Sequence, residues 1–308
     1  MIEITNLTKT YPGDVRALRG INLEIGSGMF GLVGPNGAGK TTLMRILAGL
    51  IAPTGGDVEI FGHDVTTPAG KMAVKAQLGY LPQELGLYPN LTAAELLDYI
   101  AALKGIANKA ARRQQIAAVL EQVRLADAAH RRLKTYSGGM KRRVGIAQAL
   151  LGDPRLIIVD EPTVGLDPEE RVRLRNLLSD LAARHTVILS THIIEDISQS
   201  CNALAALGEG TVLFQGSPGD LIAQVQGKVW LIETGGERPT GDIVVVSSVQ
   251  LSDTTQYRVV GAPDKNQNVV PVKPGLEDGY MWLMRQWVRL HHQPASLSPL
   301  STLHTETG

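Results

Sequence analysis

The chain has 308 residues, about twice the length of one ordinary domain, and its 30 basic side chains balance 30 acidic ones. That balance argues against a nucleic-acid binder relying on bulk positive charge, and 44% hydrophobic with 19% charged residues is globular usage rather than disorder. The single cysteine, Cys201, excludes an intrachain disulfide and suits a reducing compartment, and no apolar run approaches the ~20 residues of a membrane span. The opening residues show no basic region followed by an apolar stretch, so no signal peptide is expected.

In chain order, Ile2–Ile4 and Ile21–Ile25 read as strands joined without a long helix, an antiparallel patch. Met29–Val33 is an apolar strand running into glycines. Thr41–Leu50 follows as a helix with Leu43, Ile46, Leu47 and Leu50 at helical spacing. Residues from about 86 to 151 read as a helical subdomain. Thr92 and Glu95 form a T-x-x-E capping box, ahead of an apolar face of Leu96, Leu97, Ile100 and Leu103. Ile116, Val119, Leu120 and Val123 mark a second helix. Met140, Val144, Ala147 and Leu151 mark a third, opening after Gly138–Gly139. Leu156–Val159 and Val187–Leu189 are wholly apolar, as expected of strands buried on both faces of a parallel sheet. From about residue 226 the pattern changes to short strands, at Trp230–Ile232, Val244–Val246, Arg258–Val260 and Val269–Val272, with a helix over Leu276–Leu290. Gln293–Gly308 is rich in Ser, Thr and Pro and is expected to be disordered. The fold class is α/β. The division reads as residues 1–225, a small α+β extension over 226–292, and a tail over 293–308.

Gly34-Pro-Asn-Gly-Ala-Gly-Lys-Thr-Thr42 matches G-x-x-x-x-G-K-[ST] between a strand and a helix, the context of a P-loop. Glycines let backbone amides wrap phosphate oxygens, and the helix start adds a positive dipole end. Lys40 would reach the β- and γ-phosphates and Thr41 would ligate magnesium. Leu156-Ile-Ile-Val-Asp-Glu161 is an apolar strand ending in two acids, which in this class places a carboxylate beside the P-loop. Asp160 would hold magnesium, and Glu161 would orient or deprotonate the attacking water.

Between these motifs stands Tyr136-Ser-Gly-Gly-Met140, directly before a helix. P-loop, then SGG, then an apolar strand ending in Asp-Glu resembles the ATPase subunit of ABC transporters, over roughly residues 1–220. That resemblance implies a P-loop ATPase core with an N-terminal antiparallel β patch, a helical subdomain and a small β-rich C-terminal extension. It implies ATP and magnesium as ligands. Gln83, in Gly79-Tyr-Leu-Pro-Gln83, resembles the Q-loop glutamine that contacts the metal and the attacked phosphate. Asp167 in Gly165-Leu-Asp167 resembles the D-loop, His192 the switch histidine, and Tyr11 the adenine-stacking aromatic. Carried over onto this chain, Glu161, His192 and Gln83 are catalytic. Tyr11, Asn36, Gly37, Ala38, Gly39, Lys40, Thr41, Thr42, Ser137, Gly138, Gly139 and Asp167 bind the nucleotide. Thr41, Gln83 and Asp160 hold the metal. The family signature is usually LSGGQ and here reads YSGGM, so the phosphate-facing donors survive while Met140 replaces a polar side chain.

In this family the SGG of one subunit faces the P-loop of another. The resemblance therefore implies a dimer, of two such chains or of this chain with a relative, the homodimer being the simpler, that acts on a separate transmembrane permease at the cytoplasmic face of the membrane, with no nucleic acid. Gly86-Leu-Tyr-Pro-Asn-Leu-Thr92, Leu103-Lys-Gly105 and the closing Pro274-Gly-Leu-Glu-Asp278 resemble exporter ATPases of the drug and antibiotic-resistance group. Two other readings stay open from the residues: an ABC ATPase driving protein maturation or membrane remodelling, and a soluble one working on ribosomes or nucleic acid. A metal role for His291 and His292 is not expected.

Overall fold

A computed structural model describes residues 1–264 and 267–291. The expected tail over 293–308, and His292, lie outside the described residues. The chain begins with two long antiparallel strands, β1 (Ile2–Tyr11) and β2 (Val15–Ile25), then β3 (Met29–Val33), α1 (Lys40–Leu47), β4 (Gly55–Ile60), β5 (His63–Asp64), α2 (Pro68–Ala76) and β6 (Leu78–Leu81). The helical stretch comprises α3 (Ala93–Leu103), α4 (Lys109–Gln122) and α5 (Gly138–Leu150). Next come β7 (Leu156–Asp160), α6 (Pro168–Ala182), β8 (Thr186–Thr191), α7 (Ile194–Ser200), β9 (Ala203–Gly208), β10 (Thr211–Gly216) and α8 (Pro218–Ala223). The final section holds β11 (Val229–Thr234), β12 (Gly241–Gln250), β13 (Thr255–Pro263), β14 (Val269–Pro271) and α9 (Leu276–His291).

The central sheet runs in the order β10-β9-β3-β8-β7-β6, parallel throughout except for β10 at one edge. β3, β7 and β8 are buried along their whole length, which is why their sequences are apolar runs without alternation. In a parallel sheet the carboxyl ends of the strands lie on one side, where such folds form their crevice. The loop after β3, Asp160 at the end of β7, His192 after β8 and Gln83 after β6 therefore share that side. A second sheet, β2-β1-β4-β5, is antiparallel, as the first residues predicted. Its inner face packs with Phe30, Leu32 and α1 into one core cluster.

The helical stretch forms around the predicted capping box, in which Thr92 Oγ1 accepts from Glu95 N and Thr92 N donates to the Glu95 carboxylate. Its buried face differs from the predicted one. Ala93, Leu96, Leu97 and Ala101 face inward, while Ile100 is half-buried and Leu103 is exposed. Leu103 is the last residue of α3, where the chain turns away through Gly105 at φ +84 and leaves it in solvent. Lys104, just beyond α3, reaches across to donate to the carbonyls of Ala149 and Leu151 at the end of α5. Burial pulls its pKa down to about 8. Helix α1 is shorter than predicted: Gly49, at φ +64, follows its end and leaves Leu50 exposed.

The last section is a four-stranded antiparallel sheet in the order β12-β13-β11-β14, with strands at each predicted place. Asp278 accounts for the Pro274-Gly-Leu-Glu-Asp278 segment. Its carboxylate accepts from Gly275 N, fixing the turn into α9, and from Arg258 Nε and Nη2 on β13. Helix α9 then packs on α7, α8 and β9 as well as on β12 and β13. Leu276 is buried in the same core cluster as Leu221 and the central sheet. Among the described residues no helix is long and apolar enough to cross a membrane. Because Leu276 belongs to the main core, Leu276→Ala is expected to destabilise the principal unfolding transition by about 2–5 kcal/mol. Calorimetry in which only a minor, separate transition moves would contradict that placement.

Candidate functional site

The loop after β3 closes into α1 without a side-chain cap. Gly39 stands at the N-cap position with φ +100, and a Cβ there would lie 2.7 Å from the Ala17 carbonyl oxygen, so glycine is required. The amides of the first turn are thus left for another acceptor, the arrangement that makes a helix start an anion site. Asn36 and Gly37 lie exposed on the loop, and Ala38 is buried with its amide donating to the Pro35 carbonyl. Thr41 is half-buried in the first turn, and Thr42 Oγ1 lies 3.4 Å from the Tyr11 hydroxyl. Tyr11 ends β1 half-buried, with the Lys9 ammonium 5.2 Å from its ring centre.

Lys40 opens α1 and is 6% exposed. Its ammonium donates to the carbonyls of Gly34 (2.6 Å) and Pro35 (3.2 Å) and pairs with Glu161 Oε1 at 3.7 Å. Burial lowers its pKa, opposed by the charges of Glu161 and Asp160. Asp160, 1% exposed, has both carboxylate oxygens without a hydrogen-bond partner in the chain. So has the hydroxyl of Ser190, its register partner on β8. A buried carboxylate with neither oxygen satisfied calls for a cation or its water shell. The donor set suits magnesium, which keeps several waters and uses one or two carboxylates alongside phosphate oxygens. Among the described residues no cluster of three or more His, Cys, Asp or Glu could hold a metal alone, consistent with a site completed by a nucleotide. Tyr80 on β6 also senses Asp160: burial, then that carboxylate, raise its pKa.

Glu161 follows directly, 6% exposed and at φ +50, a left-handed conformation uncommon for a residue with a side chain. Its amide donates to the Ser190 carbonyl, and Oε2 lies 2.6 Å from His192 Nδ1. The structure thus brings Lys40, Asp160, Glu161 and His192 together, with Tyr11 and Thr42 beside them.

Ser137, Gly138, Gly139 and Asp167 form a second group. Ser137 caps α5 by accepting from Met140 N, and Asp167 caps α6 by accepting from Glu170 N. A Cβ at Gly139 would collide with the Glu170 carboxylate, which itself pairs with Arg143 at 3.5 Å and with Arg173. No hydrogen bond or ion pair joins this group to the Lys40 group among the described residues. Gln83 is exposed, and its carbonyl accepts from Arg142 Nη1 on α5 at 2.6 Å. Arg142, Glu170, Ser190 and the buried contact of Thr163 with Asp196 went unread in the sequence, since each acquires its meaning from a partner distant along the chain. Asp196 stands beside Glu195 and reads as a second surface acid, so no signal in the sequence marks it.

A family described as ABC transporter matches residues 18–164. The chain is similar to the Nod factor export ATP-binding protein I of Rhizobium etli, 33% identical over 296 residues covering 92% of each chain. It is similar to the linearmycin resistance ATP-binding protein of Bacillus subtilis, 32% identical over 262 residues, 84% of this chain and 83% of the other. Among solved structures it resembles a dimeric ATP-binding cassette in a post-hydrolysis state bound to ADP and phosphate. That match has a TM-score of 0.64 and 29% identity, covering 70% of this chain and 98% of the other.

Arg142→Ala removes the charged donor that pins the segment after β6. Amide exchange over residues 83–87 is expected to accelerate roughly tenfold or more, from a charge-assisted hydrogen bond worth ~1.5–3 kcal/mol. Unchanged exchange there would show that α5 does not hold the segment.

Proposed function

The chain belongs to the ATP-binding proteins of ABC transporters, and from that premise we propose how its residues divide the work and with what they assemble. It is the ATP-binding subunit and hydrolyses ATP. In the proposed assignment Tyr11 stacks on the adenine, while Asn36, Gly37, Ala38, Gly39, Lys40, Thr41 and Thr42 enclose the phosphates. Phosphate oxygens replace the Gly34 and Pro35 carbonyls as partners of the Lys40 ammonium. That exchange is favourable because a charged acceptor compensates a buried ammonium better than neutral carbonyls do. Asp160, Thr41 and Gln83 would hold magnesium, which when bound supplies charge neutralisation at the β- and γ-phosphates. Glu161 accepts a proton from the attacking water. His192, bonded to its carboxylate, fixes the oxygen that does so and meets the γ-phosphate. Catalysis of this kind is mainly positioning and electrostatic stabilisation, so held geometry is the principal requirement.

The observation that carries the assembly reading is the separation of the two groups. Ser137, Gly138, Gly139 and Asp167 stand at two capped helix starts that, among the described residues, make no hydrogen bond or ion pair with the Lys40 group. Two copies arranged head to tail would set each helix start over the other's P-loop, enclosing two ATP molecules. Such a homodimer opens when hydrolysis removes the γ-phosphate. With no spanning helix among the described residues, the work would pass to a separate transmembrane permease at the cytoplasmic face of the membrane. Its cytoplasmic helix would seat in the groove beside Gln83, where Tyr80, Leu81, Leu85, Leu87 and Gly145 line a small cleft. The name of the Nod factor relative supports export as the direction, and that of the linearmycin relative supports the resistance group.

Glu161→Gln is expected to bind ATP, lose hydrolysis by a factor of ~10²–10⁴, and elute as a dimer with ATP present but not without it. A variant that stays monomeric with ATP would end the homodimer reading. In parallel, the N-terminally tagged chain purified from native membranes is expected to bring down an integral membrane protein. Recovery with ribosomes or DNA instead would remove the permease from the proposal.

A further inference from the structure

Two residues beyond Glu161 and four beyond His192, the chain makes a contact that the assignment above does not use. Asp196, in the first turn of α7, is 0% exposed, and its Oδ2 accepts from Thr163 Oγ1 at 2.7 Å. Thr163 is itself 2% exposed. The other oxygen, Oδ1, has no hydrogen bond and faces Arg175 Nη1 of α6 at 3.7 Å. Arg175 also approaches the largely exposed Glu195 at 3.9 Å. A buried carboxylate with one oxygen unsatisfied is an expensive way to stabilise a fold, and apolar side chains of similar volume commonly do as well or better. Its value lies in fixing one arrangement of the two segments it joins.

Those two segments carry the catalytic pair. On one side, Glu161 and Thr163 are separated only by Pro162, whose ring locks φ, so a constraint on Thr163 is passed on with little slack. Glu161 stands in the left-handed region directly before that proline, a conformation that persists only where the surroundings over-determine it. One external restraint is its amide bond to Ser190, and the Thr163 hydroxyl supplies a second. On the other side, three residues separate His192 from Asp196, and hydrogen bonds hold that turn. Ile193 N donates to Thr191 Oγ1, and Asp196 N donates to the Ile193 carbonyl. Helix α7 is held in turn by β3, β8, α6 and α9.

We propose that Thr163 and Asp196 are positioning residues for hydrolysis. Their buried hydrogen bond ties the loop after Glu161 to α7, so that Glu161 Oε2 and His192 Nδ1 keep their 2.6 Å separation. Arg175 Nη1 faces the other Asp196 oxygen at 3.7 Å and holds the carboxylate from the α6 side. The inference rests on Glu161 and His192 acting as assigned above, and it concerns the geometry of that pair, not the affinity for nucleotide.

The test measures steady-state ATP hydrolysis against ATP concentration for the full chain, alongside melting temperature. Wild type is compared with Thr163→Val, Thr163→Ser and, as reference, Glu161→Gln. Thr163→Val keeps the volume and loses the hydroxyl. Its kcat is expected to fall roughly ten- to hundredfold with KM for ATP nearly unchanged, the signature of a displaced catalytic group. Thr163→Ser restores the donor and is expected to return kcat to within about threefold of wild type. Thr163→Cys, a weak donor of similar size, is expected to lie between them, and it serves if the valine variant does not fold. A valine or cysteine variant with wild-type kcat overturns the proposal. So does a serine variant as slow as valine, or a loss seen equally in KM and melting temperature. If Glu161→Gln hydrolyses normally, the assignment of the pair itself fails. If Glu161→Gln is inactive while Thr163→Val is not, only the positioning role is lost.

Discussion

The ammonium of Lys40 sits almost without water at the start of α1 and must be matched by charge and dipole from several elements at once. Burial works against its proton, and Glu161 and Asp160 work for it. Two carbonyls of the loop that precedes it, those of Gly34 and Pro35, complete the match. That single requirement couples β3, β7 and α1. The acids must lie at the ends of strands adjacent to or one removed from β3, and the loop must be short enough to fold its own carbonyls over the charge. The parallel sheet satisfies this because its strand order, with β8 between β3 and β7, brings the three carboxyl ends side by side. A balance of this kind is poised for exchange. In the proposed assignment a phosphate entering the loop would relieve the carbonyls, while Glu161 keeps the contact with His192 that it already makes.

The second group of functional residues obeys a different logic. Ser137 and Asp167 are ordinary helix caps, but the helices they open are tied to each other and to the segment after β6. Glu170 bridges α6 to Arg143 on α5, and Arg142 on the next residue grips the carbonyl of Gln83. Helix α5 thus touches, through consecutive arginines, both the segment carrying Asp167 and the segment carrying Gln83. A displacement of α5 cannot leave either in place. In a dimer that closes on ATP, such a helix would move both segments together, and the groove of Tyr80, Leu87 and Gly145 lies on its flank.

Much of this was legible in the sequence because it is local. The P-loop, the apolar strand ending in Asp160 and Glu161, the capping box at Thr92 and the strands of the last section all announce themselves through neighbours within a few residues. Where sequence and structure differ, the cause is local too: an exposed leucine that keeps the helical period extends the helix after the P-loop to Leu50 and turns Leu103 inward. Leucines on an outer face cost little, so periodicity overcounts them. The wiring was not legible. Arg142 with Gln83, Glu170 with Arg143 and Thr163 with Asp196 pair across 59, 27 and 33 positions. Each is a polar residue whose sequence surroundings read as a solvated surface. Only burial distinguishes Asp196 from the exposed acid beside it.

The strand order that assembles the site also dictates when it can exist. β3 is flanked by β8 and β9, so Phe30 waits for Ala203, about 170 residues behind it. At ribosomal rates of ~5–20 residues per second that is roughly 10–35 s with a fully apolar strand lacking both neighbours. The two faces of β3 fare differently over this interval. Phe30 and Leu32 join a cluster built chiefly from the first 80 residues, so that side is covered early. Met29 and Val33 belong to the cluster of the helical stretch and the later strands. A nascent chain therefore emerges half-sheltered, with its nucleotide loop made but unable to be completed. The antiparallel sheet at the amino end, besides carrying Tyr11, is therefore what covers one apolar face of β3 throughout that interval.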